Sequence, residues 1–251
     1  MRTFTRNTAV AVTAASLALL VSACGSGDKD AGKDSASPSA SATSSAPDAK
    51  ALSSAELERL VVEQADLPGH QVQKAKAADL VKPEAVATDK PACKPLADAM
   101  SFLATGNPAA TANRKVIEVP KTEGATASPQ DALGALSAPV TSVALGSYDG
   151  QGAQEAFASL KTAGTECAGG FTLLGGGEKT KITKVAPETV SAGEESLAWT
   201  VTTDMDGEPF VTKVVVFRKG GTLASFSTLS LGGTVKALPK AVIDAQAAKL
   251  G

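Results

Sequence analysis

Five strand-length runs follow one another in the second half of the chain: Phe171–Leu174, Lys181–Val185, Leu197–Thr203, Phe210–Arg218 and Leu223–Leu231. Val, Ile, Thr and Phe dominate them, the residue types that suit a pleated, half-buried surface. Asp206-Gly207 and Gly220-Gly221 separate the last three runs. Such pairs accept positive φ and close two-residue hairpins. Strands joined this tightly pair antiparallel, because a parallel return needs a crossover of about a dozen residues or more. The second half is therefore a meander of hairpins.

Helical patterns flank the meander. Ser53-Ser54-Ala55-Glu56 is a capping box, in which the Ser53 hydroxyl caps the helix and Glu56 reaches back. Leu57, Leu60, Val61 and Gln64 follow at helical spacing, and Leu67-Pro68-Gly69 ends the run. Val72 to Val86 reads as short extended pieces. A second helix starts at Cys93, presents Leu96, Met100 and Leu103 on one face, and stops at Gly106-Asn107-Pro108. Lys115–Val119 is a short strand. Thr122 to Pro139 is a polar loop with a weak helical patch at Asp131–Leu136. Val140–Tyr148 alternates as a strand. Gln151–Thr165 is an amphipathic helix with Ala153, Ala156, Phe157 and Leu160 inward, and Pro239–Leu250 is a closing helix. The fold class is α+β: an antiparallel sheet, its C-terminal part a meander of hairpins, with helices packed on one face.

The N-terminus carries an address. Arg2 and Arg6 form a positive n-region, Thr8–Leu20 is apolar, and Val21-Ser22-Ala23 supplies small residues for a peptidase. Val-Ser-Ala-Cys resembles the lipobox of bacterial lipoproteins. That resemblance implies that Cys24 receives diacylglycerol and becomes the first residue of the mature chain. Residues 1–23 are then a lipoprotein signal peptide, and cleavage leaves a net charge of -4, because only Arg2 and Arg6 are lost. Residues 24–50 hold the lipidated cysteine and a Ser/Ala-rich tether with no large aliphatic or aromatic side chain, too polar to offset its ordering entropy. A coil of roughly 25 residues spans about 25–30 Å. Residues 51–251 form a single extracytoplasmic domain. The chain is expected on the outer face of the cytoplasmic membrane, held there through its lipid.

Cys93 and Cys167 remain, an even pair in an oxidising compartment, and they are assigned to one disulfide. Catalytic patterns are weak throughout. The single histidine, His70, sits in a Pro-Gly turn with no Gly-x-Ser-x-Gly elbow elsewhere. Ser26 to Lys29, the one Ser-x-x-Lys spacing considered for penicillin-binding chemistry, lies in the tether. Gly175-Gly176-Gly177-Glu178-Lys179-Thr180 puts Glu where a phosphate loop needs Gly. Asp204-Met205-Asp206-Gly207-Glu208 runs into Pro209 before a calcium loop could be completed. Glu194 and Glu195 are adjacent, so their carboxylates diverge. No cofactor and no metal site is expected. A formal charge of -2 without a cluster of Lys and Arg gives no nucleic-acid footprint. Trp199 and Tyr148 are large aromatics with polar tips, read first as core packing and then as the first candidates to line a ligand pocket.

Three stretches carry a family resemblance: Ala51-Leu52-Ser53-Ser54-Ala55-Glu56-Leu57, Pro91-Ala92-Cys93-Lys94-Pro95-Leu96, and Ala153 to Cys167-Ala168-Gly169. With the lipobox and tether they look like actinobacterial lipoproteins of unassigned function. More distantly, they resemble the extracellular sensor domain of PknH-like serine/threonine kinases, across about residues 51 to 250. The resemblance implies an α+β extracytoplasmic domain with a ligand-binding cleft, and it transfers no catalytic residue. The chain departs from that family in having cysteines for one disulfide where two are common. The functional expectation is a non-enzymatic, membrane-anchored ligand-binding or sensor-like domain with a small-molecule ligand. The alternatives are an envelope interaction protein that docks a partner through its sheet edge, and an enzyme using carboxylates without a recognisable motif.

Overall fold

The computed structural model describes residues 50–119, 137–175, 178–232 and 234–251. Residues 1–49, which include the stretches read from sequence as a signal peptide and a tether with Cys24 between them, and the Asp131–Leu136 patch lie outside the described residues. Four α-helices are described: α1 (Ser54–Leu60), α2 (Lys94–Met100), α3 (Gly152–Glu166) and α4 (Lys240–Leu250). The strands are β1 (His70–Lys74), β2 (Val86–Thr88), β3 (Ala110–Glu118), β4 (Val140–Ser147), β5 (Phe171–Gly175), β6 (Glu178–Glu188), β7 (Glu195–Met205), β8 (Glu208–Lys219) and β9 (Thr222–Leu229).

All nine strands join one antiparallel sheet in the order β1-β3-β4-β9-β8-β7-β6-β5-β2. The α+β class and the hairpin meander of β5 to β9 stand as the sequence reads them. The turn between β7 and β8 takes positive φ at both Asp206 and Gly207, the twist a two-residue hairpin wants.

The helices are not confined to one face, and this corrects the sequence reading. On β8, Val214 and Val216 join a core with α2 and α3, whereas Val215 and Phe217 join a second core with α1 and α4. Alternate side chains of a strand point to opposite faces, so both faces are covered. The run of apolar residues in β8 reads the same way in hindsight: a strand buried on both sides loses its polar alternation.

On the first face, the end of α3 approaches β7 closely. A Cβ added at Gly164 would lie 2.5 Å from the Trp199 indole nitrogen, so only glycine fits there. Cys93 precedes α2 and Cys167 follows α3; the two are at disulfide distance, with Cα atoms 5.8 Å apart. On the second face, α1 ends early, at Leu60, and Val61 turns extended. The freed groups meet Gln246 of α4, which is fully buried. Its amide donates to Leu60 O at 2.8 Å, and its carbonyl accepts from Val62 N–H at 3.0 Å. One side chain thus caps α1 and pins α4 to it.

The exposed edge of β1 is also occupied. The Gln64 amide donates to His70 O at 2.7 Å, and Gln64 Oε1 accepts from Val72 N–H at 3.0 Å. This side chain imitates a neighbouring strand and blunts the edge. At the other border, β2 offers three residues.

Replacing Gln246 by Leu takes the side-chain partner from the buried Val62 N–H and the partly buried Leu60 O. We expect a loss of about 3 kcal/mol, since each orphaned group costs roughly 1–3 kcal/mol. Urea unfolding of the variant measures it; a loss under about 0.5 kcal/mol, no more than a surface substitution, would show that the Gln246 clamp does not hold α4.

Candidate functional site

The second face of the sheet changes character along its strands. At one level, Val143, Phe226 and Val215 stand side by side on β4, β9 and β8. Two residues further along, the cross-strand row becomes Val116, Thr141, Thr228, Lys213 and Thr200, on β3, β4, β9, β8 and β7. The next level holds Glu118, Pro139 and Ser230. The helical cover follows the same gradient: α4 packs Val242 and Ile243 into the apolar core, and its first residues, Lys240 to Val242, border the hydroxyl end.

A cavity of about 460 Å³ opens over the hydroxyl end. Its floor is Val116, Thr141, Thr228 and Ser230, and its opposite wall is the stretch from Thr234 to Val242. The size falls within the range typical of small-molecule sites, ~300–1,000 Å³. The floor hydroxyls are ordered. Thr141 Oγ1 and Thr228 Oγ1 share a hydrogen bond of 2.9 Å. Ser230 Oγ donates to Ser137 O at 2.6 Å and accepts from Gly232 N–H at 3.2 Å. Val116, Val235, Leu238 and Val242 give the walls an apolar character, and His70, Glu118, Lys236 and Lys240 bring charge or a titratable ring. A smaller cavity of about 240 Å³ lies beside it, and Leu238 and Lys240 line both.

The cavity sits at the start of β4, by Pro139 and Thr141. The chain enters the domain at the other end of that strand, where Leu52 N–H donates to Ser147 Oγ at 2.9 Å and Ala51 N–H to Asp149 Oδ1 at 2.9 Å. The intervening length of strand is roughly 20 Å.

Next to the floor, Lys213 is nearly buried, with 8% of its side chain exposed. Its ammonium donates to Glu188 and, at 2.8 Å, to Thr200 Oγ1, and the Thr200 hydroxyl also donates to Glu188. Burial raises the Glu188 pKa, but the hydrogen bonds and charge of Lys213 and Thr200 outweigh it, so the net shift is downward. The pair closes the polar row toward β6.

The residues singled out from sequence fall elsewhere. Tyr148 and Trp199 are 2% and 4% exposed, both belong to the first core, and neither lines a described cavity. The Tyr148 hydroxyl donates to Thr105 O. Burial, then the nearby Asp98 charge, pushes its pKa above the ordinary value of 10.0, so it is a fixed neutral donor. Glu194 and Glu195 both grip Arg218, each at 2.7 Å, which gives them a structural partner. Asp204 Oδ1 accepts from Gly207 N–H at 2.8 Å, a turn bond. Among the described residues no group of three or more His, Cys, Asp or Glu is placed to hold a metal ion. His70, read as a turn residue, opens β1 and lines the cavity. The sequence reading missed the cavity itself, and only the Thr/Ser enrichment of Thr141, Thr228 and Ser230 hinted at it.

No family model matches the chain, and no curated protein does. Among solved structures, it is similar to the extracellular domain of PknH from Mycobacterium tuberculosis. That likeness has 12% identity and a TM-score of 0.46, over 80% of this chain and 97% of that one. It is also similar to an uncharacterized protein from Mycobacterium smegmatis, the Rv0999 ortholog. Here the identity is 11% and the TM-score 0.32, over 73% of this chain and 88% of that one. No helix among the described residues is long and apolar enough to cross a membrane.

Replacing Lys213 by Met strips Glu188 of its cation. Glu188 is 27% exposed, so water recovers part of the loss, and we expect a cost of roughly 2 kcal/mol at neutral pH. The folded pKa of Glu188 lies below its ordinary 4.5. Its stabilisation is therefore present above that value and disappears as pH falls through the folded pKa. Urea titrations should show the variant and parent converging below pH 4.5; a gap that stays constant down to pH 2 would contradict the pairing.

Proposed function

We propose that this chain is a lipid-anchored, extracytoplasmic, non-enzymatic binding domain, with the cavity over Thr141 and Thr228 as its ligand site. The cavity carries the binding reading: it combines a hydrogen-bonding floor, apolar walls and charged residues at one end of a rigid sheet. The lipobox around Cys24 and the polar stretch after it support the anchor. The folded domain begins at the Ser147 end of β4, the end opposite the cavity.

The non-enzymatic reading rests on the chemistry of the ionisable groups. The carboxylates considered from sequence are spent on Arg218 or on a turn, and the Tyr148 phenol is locked in a hydrogen bond. Docking a partner strand is the weaker alternative, because Gln64 already takes His70 O and Val72 N–H on the β1 edge.

Native mass spectrometry of the full mature chain, released from envelope membranes by mild detergent, tests the proposal. The expected spectrum shows a bound species that leaves on denaturation, over a protein mass that includes the acyl groups on Cys24. One Cys93–Cys167 disulfide lowers the denatured mass by roughly two daltons, the two thiol hydrogens. A bare mature chain that stays soluble without detergent would overturn the anchor; a clean apo mass from the native membrane would count against the ligand site.

A further inference from the structure

Two charges in the cavity have no partner among the described residues. Glu118, at the end of β3, and Lys236, on the facing segment, both line it. Neither side chain has an ion pair or hydrogen bond among the described residues, and they are not bridged to each other. The remaining lysine, Lys240, is held by Asp244 one turn along α4. His70 stands opposite Glu118 in the β1–β3 register, on the same side of the cavity.

Opposite charges that share a cavity without meeting match a ligand that carries both signs. We infer, on the basis of the ligand site proposed above, that the cavity binds a zwitterion of the amino-acid type with an apolar side chain. The ligand ammonium pairs with the Glu118 carboxylate, and its carboxylate pairs with the Lys236 ammonium. The Thr141 and Thr228 hydroxyls lie beneath its polar backbone, and its side chain packs on Val235 and Val242. A purely anionic ligand would leave Glu118 repelling it, and a cationic one would meet Lys236. Charge-assisted bonds of this kind are about twice as strong as neutral ones, which makes the charge pattern the chief selector.

Titration calorimetry of the full mature chain in lipid nanodiscs, with empty discs subtracted, tests this with four probes of matched shape. These are leucine, 4-methylpentanoate, 3-methylbutylamine and 3-methylbutan-1-ol. Leucine should bind at least about tenfold tighter than each of the others, about 1.4 kcal/mol. Glu118→Gln should reduce leucine to the level of the acid, and Lys236→Gln to that of the amine. Both residues are exposed, and an unchanged Tm confirms that the variants fold. If the alcohol binds as tightly as leucine, the charge pairing is wrong while the cavity remains a binding site. If all four probes are silent but a native ligand co-purifies, the zwitterion class is wrong and the site survives. If the probes are silent and no ligand co-purifies, both readings fail.

Discussion

Thr212–Phe217 of β8 and nearly all of β9 are buried from both sides, and the rest of the molecule is arranged around that fact. A sheet this apolar on both faces needs a helical layer on each. The first layer is α2 with α3, joined through Cys93 and Cys167 and packed on Trp199. The second is α1 with α4, joined through Gln246. Apolar burial supplies the gross driving force, at about 25 cal/mol per Å². The two cross-links decide where the helices sit.

The site follows from where the second layer stops. The helix α4 covers the level of Val215 and Phe226 and begins beside the level of Thr228 and Lys213. Had the strands stayed apolar to their ends, an uncovered patch of Val and Phe would be open to solvent. Instead the sequence turns to Thr, Ser and a paired Lys, groups that tolerate water and hold hydrogen bonds to one another. A pocket with a polar floor is the product of that change. The Lys213–Glu188–Thr200 cluster fixes the border between the packed region and β6, and its charge is neutralised within the cluster.

Much of the fold was legible in the sequence because its signals are local. Asp206-Gly207 announces a hairpin, Ser53 and Glu56 announce a helix start, and Phe157 and Leu160 announce a buried helical face. Elements weak in such signals were misjudged. The strand β3 extends back to Ala110 through Ala112 and Arg114, residues with little strand preference, held by pairing with β4 and by the Arg114–Glu58 ion pair. The helix α2 ends at Met100, before Leu103, and Phe102 takes positive φ just after it. The second helical face was missed because opposite sides of β8 look alike when both are apolar. The cavity was beyond a local reading altogether. Glu118 and Thr141 stand far in sequence from Thr228 and Lys236, and the two pairs line one cavity only because β4 pairs with β9, a long-range contact. Trp199 and Tyr148 are pocket candidates by residue type, yet both are packed into the first core, where the Tyr148 hydroxyl is bonded to Thr105 O.

The measurement that bears most directly on this account is methyl NMR of the full mature chain titrated with a small-molecule extract of the native cell envelope. Binding at the hydroxyl end of the sheet predicts saturable shifts at the methyls of Val116, Thr141, Val235 and Val242, with Val214 and Leu160 in the opposite core unmoved. Shifts centred on the α2–α3 face, or no shifts in the cavity while ligand is demonstrably bound, would contradict it.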